Sequence, residues 1–186
     1  MTNLQQEEAL VERARRDPEA FGELYDRYYG RIFGYVLKRT ANIDVAQDVT
    51  SEVFFKALKN LERFRWRGVP FSAWLYRIAG NEIANVFRRG KREWLYITET
   101  SQSDLLSNTS LEAEAAQAEE QLLRHEEFLA LHESISRLPP KYQEVITLRY
   151  FEDKQLKEIA AILGKSEGTV KSLLHRGLRK LRILME

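Results

Sequence analysis

Apolar side chains recur every three or four residues through most of the chain, beginning with Phe21, Leu24, Tyr25, Tyr28, Ile32, Tyr35 and Val36. That spacing lines one face of an α-helix. Asp17-Pro18-Glu19 supplies its start: a capping side chain, a proline at the first helical position and an acid at the positive helix end. Asn42-Ile43 interrupts the run. Asp44 followed by Gln47 resembles a capping box, and Val45, Val49, Val53, Phe54, Ala57 and Leu61 form the next stripe. After an irregular piece from Arg63 to Pro70, a third stripe runs through Phe71, Trp74, Leu75, Ile78, Ala79, Ile83, Val86 and Phe87, ending at the basic cluster Arg88-Arg89-Gly90-Lys91-Arg92. No alternation of period two lasts long enough for a sheet, so the chain is expected to be all-α.

The pattern then lapses. Residues 98–127 are rich in Ser, Thr, Asn, Gln, Glu and Ala and hold eight acids against Arg124 alone, a net charge of −7. This stretch reads as an acidic linker between two helical domains, 1–97 and 128–186, each with a net charge of +4. Helix is expected over Ala113–Leu131 as the chain enters the second domain. There, Pro139 and Pro140 begin a helix with Val145, Ile146, Leu148 and Tyr150, and Glu152-Asp153-Lys154 makes a polar turn. Leu156–Leu163 is a short helix with Ile159, Ala160 and Leu163 inward. Gly164 follows, and Ser166 caps a last helix that buries Val170, Leu174, Leu178 and Leu181.

A short helix, a glycine turn and a longer helix with basic residues off its core stripe is the layout of a helix-turn-helix. Opposite the stripe stand Lys171, Ser172, His175, Arg176, Arg179 and Lys180. The first four suit base edges in a duplex, and Arg179 and Lys180 suit phosphates. The bland alternative is a helical hairpin with a solvated positive side.

A second candidate surface is the run Arg63-Phe64-Arg65-Trp66-Arg67-Gly68-Val69-Pro70-Phe71, where cation and ring alternate. Rings stack on unpaired bases while guanidinium groups hold the backbone, so such a surface favours single-stranded nucleic acid. Phe71 and Trp74 fall on the helical stripe and read as core; for Phe64 and Trp66, core and base contact both stand open. Asn81 and Asn85, four apart and off the stripe, could read duplex edges beside Arg88 and Arg89, whose cluster is either a phosphate contact or a solvated helix end.

The remaining chemistry is sparse. There is no cysteine, and His125, His132 and His175 are too scattered for a metal site. Asp44, Asp48 and Glu52 lie four apart without a histidine or a phosphate-binding glycine loop near them, which suits a recognition face for a basic protein better than a hydrolase. Neither an enzyme nor a cofactor is expected. Nothing reads as a signal peptide or a membrane span, so a cytoplasmic location is expected.

Together the two blocks resemble the bacterial sigma-70 family of RNA polymerase sigma factors, of the extracytoplasmic-function (group 4) type. DPEAFGELYDRYYGRIFGYV resembles the family's region 2.1 and DVAQDVTSEVFFKAL its region 2.2. RFRWRGVPFSAWLYRIAGNEIANVFRRGKR stands in the place of regions 2.3 and 2.4, and LPPKYQEVITLRYFEDKQLKEIAAILGKSEGTVKSLLHRGLRKLR resembles region 4. The resemblance implies that Asp48 and Glu52 dock on the β′ clamp of core RNA polymerase. It also implies that Phe64, Trp66, Asn81, Asn85, Arg88 and Arg89 lie near the promoter −10 element and its melted non-template strand. Region 4 would read the −35 duplex and touch the β flap, and the acidic linker would thread the polymerase. An anti-sigma factor is a further implied partner, able to hold the chain near the membrane; in holoenzyme the chain would lie on the nucleoid. Gln47 and Ser51 depart from the family's Glu and Gln in the docking helix, Leu173 replaces a position often basic, and Gly177 one that is usually Ala. A stand-alone helix-turn-helix regulator without productive polymerase docking is the alternative, and a helical adaptor for proteins alone is a third.

Overall fold

The computed structural model describes residues 3–40, 42–66, 68–93 and 133–185. The acidic linker and the helix expected over Ala113–Leu131 lie outside them. The described residues form two helical domains, as the periodicity requires. In the first, α1 (Asn3–Ala14), α2 (Pro18–Thr40), α3 (Ile43–Asn60) and α4 (Phe71–Glu93) pack together, with a 3-10 turn at Leu61–Arg63. In the second, α5 (Pro140–Ile146) runs into a π-type turn, Thr147–Phe151, followed by α6 (Leu156–Leu163) and α7 (Glu167–Met185).

Each start has a local cause. Asp17 accepts the Glu19 N–H at 2.9 Å at the head of α2. The cap of α3 is Asn42 and not Asp44: Asn42 is extended (φ −137°, ψ 122°) and its side chain accepts the Val45 N–H at 2.9 Å. A cap must stand outside the helix with non-helical backbone, and Asp44 already lies in the first turn, where its charge faces the positive end. The first N–H of α4 is met from a distance. The buried Glu7 carboxylate of α1 accepts from Phe71 N at 3.0 Å and from the Tyr28 hydroxyl, tying three helices at one point.

The stripes meet in the core as expected at Leu24, Ile32, Tyr35, Val53, Phe71, Leu75 and Ile83, all but sealed from solvent. Two expectations are corrected. In α6 the sealed residues are Ile159 and Ile162, with Ala160 and Leu163 only half-buried. In α7 the buried line is Val170, Leu174, Gly177 and Leu181, while Leu178 is 38% exposed. Gly177 lies under α5, where an added Cβ would come within 3.1 Å of Ile146 Cδ1 and 3.2 Å of Tyr142 Cβ. A close crossing, invisible to periodicity, rotates the stripe onto the residue without a side chain.

Candidate nucleic-acid interfaces

The helix-turn-helix is α6, a turn and α7. Gly164 takes the left-handed conformation (φ 63°) that lets the chain leave α6, and both it and Lys165 donate to the Ala160 carbonyl. Gln155 N–H donates to Glu158 Oε2 at the head of α6, and Thr169 N–H donates to Ser166 Oγ at 3.2 Å at the head of α7. With Val170 and Leu174 buried, helix geometry turns Lys171, His175, Arg176, Arg179 and Lys180 outward, and all five are exposed; Ser172 is half-buried at their edge. Leu173, the departure from a basic position, packs partly against the core.

The second surface is a groove of about 760 Å³ between the end of α3, the 64–70 loop and α4. Its floor holds Phe64, Trp74 and Ile78, and its rim holds Lys56, Arg63, Arg65, Arg77 and Asn81. Phe64 is pinned: its ring stands edge-on to Phe71 at 5.4 Å and 4.8 Å from Trp74, and its carbonyl accepts from Arg15 Nη2 at 2.7 Å. Trp66 packs edge-on to Phe64 at 6.2 Å and is half-buried outside the groove lining. Of the two rings left open by sequence, Phe64 is therefore half core and half groove floor, and Trp66 flanks it. Trp74, assigned to the core by its stripe, is also groove floor. Asn85 belongs to a neighbouring chain of contacts, accepting from Arg88 Nη2 at 2.5 Å and donating to Glu82 at 3.5 Å. Arg88 and Arg89 are exposed.

Sequence reasoning passed over Lys56 and Arg77. Lys56 joins Glu52 at 3.1 Å to Glu82 at 2.8 Å, crossing from α3 to α4. The i to i+4 spacing from Glu52 was a signal for the first contact; none pointed to the second.

A third surface lies on α3. Asp48 is exposed and Glu52 partly so, and beside them Phe55 (59% exposed), Leu58 and Ile43 stand in solvent. Carboxylates amid uncovered apolar side chains suit a protein partner better than a polyanion. Among the described residues no cluster of His, Cys, Asp and Glu could hold a metal, and no helix is long and apolar enough to cross a membrane.

Two family models match the chain: sigma-70 region 2 over residues 24–93 and sigma-70 region 4 over residues 128–181. The extracytoplasmic-function (ECF) sigma factor SigW of Bacillus subtilis is 32% identical over 167 residues, covering 89% of each chain. The ECF sigma factor BldN of Streptomyces coelicolor is 34% identical over 177 residues; the match covers 95% of this chain but 64% of BldN. Two solved structures share the fold: CnrH in complex with the cytosolic domain of CnrY (TM-score 0.70, 23% identity, 96% of both chains), and RpoE of Bartonella quintana in complex with the anti-sigma factor NepR (TM-score 0.65, 20% identity, 89% of this chain and 96% of that one). The chain belongs to the ECF group of the sigma-70 family of RNA polymerase sigma factors.

Proposed function

We propose that this chain directs core RNA polymerase to a subset of promoters and helps to open them, with residues 1–97 serving the −10 element, 128–186 the −35 element, and 98–127 linking them. The observation that carries the reading is the coexistence, on one sigma-family chain, of two chemically different DNA surfaces. The outward face of α7 has cations and hydrogen-bonding groups but no Phe, Tyr or Trp, which suits a duplex edge. The groove on α4 combines ring faces with guanidinium groups, which suits an opened strand. Phe64, Trp66, Asn81, Asn85, Arg88 and Arg89 serve the −10 region; Lys171, Ser172, His175, Arg176, Arg179 and Lys180 serve the −35 region.

Asp48 and Glu52, with the apolar residues beside them, dock on the β′ clamp, and region 4 also meets the β flap. Two weak DNA sites joined by a linker gain through effective concentration, so specificity depends on both elements and on their spacing. The likeness of the fold to a sigma factor bound by the anti-sigma factor NepR supports an anti-sigma partner here as well. A cytoplasmic chain, on the nucleoid in holoenzyme and near the membrane when such a partner holds it there, follows from this reading.

Reconstituted transcription with core polymerase and a genomic fragment library tests it. Site-specific initiation that depends on the chain is expected; its absence from well-folded preparations sinks the proposal. Trp66→Ala should weaken strand capture by about 1–3 kcal/mol and spare duplex binding. Arg176→Ala should do the reverse, by about 1–3 kcal/mol. Equal defects in both assays reject the assignment.

A further inference from the structure

The stretch that carries the groove's rings is held at both ends from another part of the chain. At its start, the Phe64 carbonyl accepts from Arg15 Nη2 at 2.7 Å, while Arg15 Nη1 pairs with Glu12 at 3.0 Å. At its end, the Phe71 N–H, the first of α4, donates to the Glu7 carboxylate at 3.0 Å, and the Tyr28 hydroxyl donates to the same oxygen. A helix leaves its first N–H groups without partners inside it, and Pro70, next to this one, has no side-chain oxygen to offer. Both anchors come from α1 and the turn after it, 49 and 64 positions away from the groups they hold.

Phe64, on the groove floor, and Trp66, edge-on beside it, depend on these anchors for their place. Gly68, left-handed at φ 67°, follows them. Glycine frees a backbone more than any other residue, and a stretch of about seven residues left loose could extend to roughly 24 Å. We propose that α1 is a positioning element for strand capture: Glu7 and Arg15 hold the Phe64–Phe71 stretch in the conformation whose rings meet unpaired bases, so the strand does not have to order it. The inference rests on the single-strand reading of the groove given above. Neither residue lines the groove, and both precede the residues matched by sigma-70 region 2, 24–93. They act through Phe64 and Trp66. Ordering a segment at the moment of binding takes away from affinity, and a ring in its binding position only about a tenth of the time binds about tenfold more weakly. The face of α7, made within one helix of the other domain, draws nothing from α1.

Fluorine resonances test the positioning without DNA. The full-length chain is made with 5-fluorotryptophan, and the Trp66 line is assigned by its loss in Trp66→Phe. One Trp66 line is expected for the unsubstituted chain, and a shifted or split one for Arg15→Met and for Glu7→Leu. Glu7→Gln keeps an oxygen that accepts the Phe71 N–H and should restore the original line. Tyr28→Phe removes only the other bond to Glu7, so it should lower the Tm and leave the Trp66 line in place. A Trp66 line unmoved in Arg15→Met or in Glu7→Leu, or moved as far by Tyr28→Phe, overturns the proposal. If Glu7→Leu does not fold, Arg15→Met, at a partly exposed site, decides alone.

The second measurement uses holoenzyme rebuilt from core polymerase and each full-length variant. Its probe is a fluorescent non-template strand across the −10 element of a promoter at which the unsubstituted holoenzyme initiates. Arg15→Met and Glu7→Leu should bind that strand about tenfold more weakly, and Glu7→Gln and Tyr28→Phe should stay within about twofold of the unsubstituted chain. Duplex binding at the −35 element should change in none of them. Strand binding undiminished in Arg15→Met but weakened in Trp66→Ala overturns the positioning role, as does equal weakening by Tyr28→Phe. If Trp66→Ala also leaves strand binding intact, or the holoenzyme initiates nowhere, the single-strand reading has failed instead, and the fluorine lines still decide whether α1 holds the stretch.

Discussion

The two surfaces proposed for DNA differ in how they are made. The α7 face is the work of one helix: once Val170 and Leu174 are buried, 3.6-residue periodicity alone sends Lys171, His175, Arg176 and Arg179 to the other side. The α4 groove is composite. Its walls come from α3, the 64–70 loop, α4 and the neighbouring domain, and its floor rings are held by Phe71, by Arg15 in the turn after α1 and by one another. A surface on one helix survives anything that leaves the helix docked; a surface shared among four segments fails with any of them.

The largest effect that separates the two is expected from Phe71→Ala. Phe71 is fully buried and touches Tyr28, Phe64 and Trp74, so its loss should cost about 3–5 kcal/mol. Denaturant titration should register that loss in the first domain, while duplex binding through α7 persists in conditions where the groove is gone. Loss of both together would mean that the second domain cannot stand without the first.

Gly177→Val probes the other side. The added side chain would push against Ile146 and Tyr142, an overpacking cost of about 1–3 kcal/mol that should appear as a lower Tm and weaker duplex binding, with strand binding retained. An unchanged Tm would show that α5 yields at this crossing. Ser166→Ala should cost about 1 kcal/mol, because it leaves the Thr169 N–H without its side-chain acceptor. Amide exchange should then quicken in the first turn of α7 and not in α4.

The smallest effect at neutral pH belongs to the tyrosines, and it grows in base. Burial pushes Tyr35 up to about 12, although Arg39 pulls the other way, and Tyr28 and Tyr76 are raised as well. The ordinary value is about 10. A group raised in the folded state contributes stability that is complete below its unfolded value and is lost as pH rises through the folded one. The denaturant midpoint should therefore fall as pH climbs from about 10 toward 12, and Tyr35→Phe should flatten that slope. These tyrosines lie in the first domain and at its boundary with the second, so the decline should begin there.

What was legible in sequence divides along the same line. The Ser166 cap, the Gly164 turn and the exposed cations of α7 all depend on residues within four positions of one another, and their placement follows from helix geometry. The Asp44 cap failed because Asp44 and Asn42 both offer a capping oxygen, and only backbone conformation chooses between them. Trp74 was assigned wholly to the core because a stripe tells which side a residue faces and not whether that side is fully covered. Leu178 was placed in the core because it fits the four-residue step; Gly177 took the place because α5 comes too close for any side chain.

By itself, then, the sequence determined α2 to α4, the two-domain order and the basic outer face of α7, while α1 went unread, because hydrophobic period, caps and charge are properties of neighbouring residues. Tertiary structure alone decided the groove, the reach of Glu7 to the head of α4, the close crossing at Gly177, and the burial of Glu152 between Lys38 and Tyr76. Each of those joins residues about 30 to more than 100 positions apart. Whether such groups meet depends on how whole helices pack, which no local spacing records.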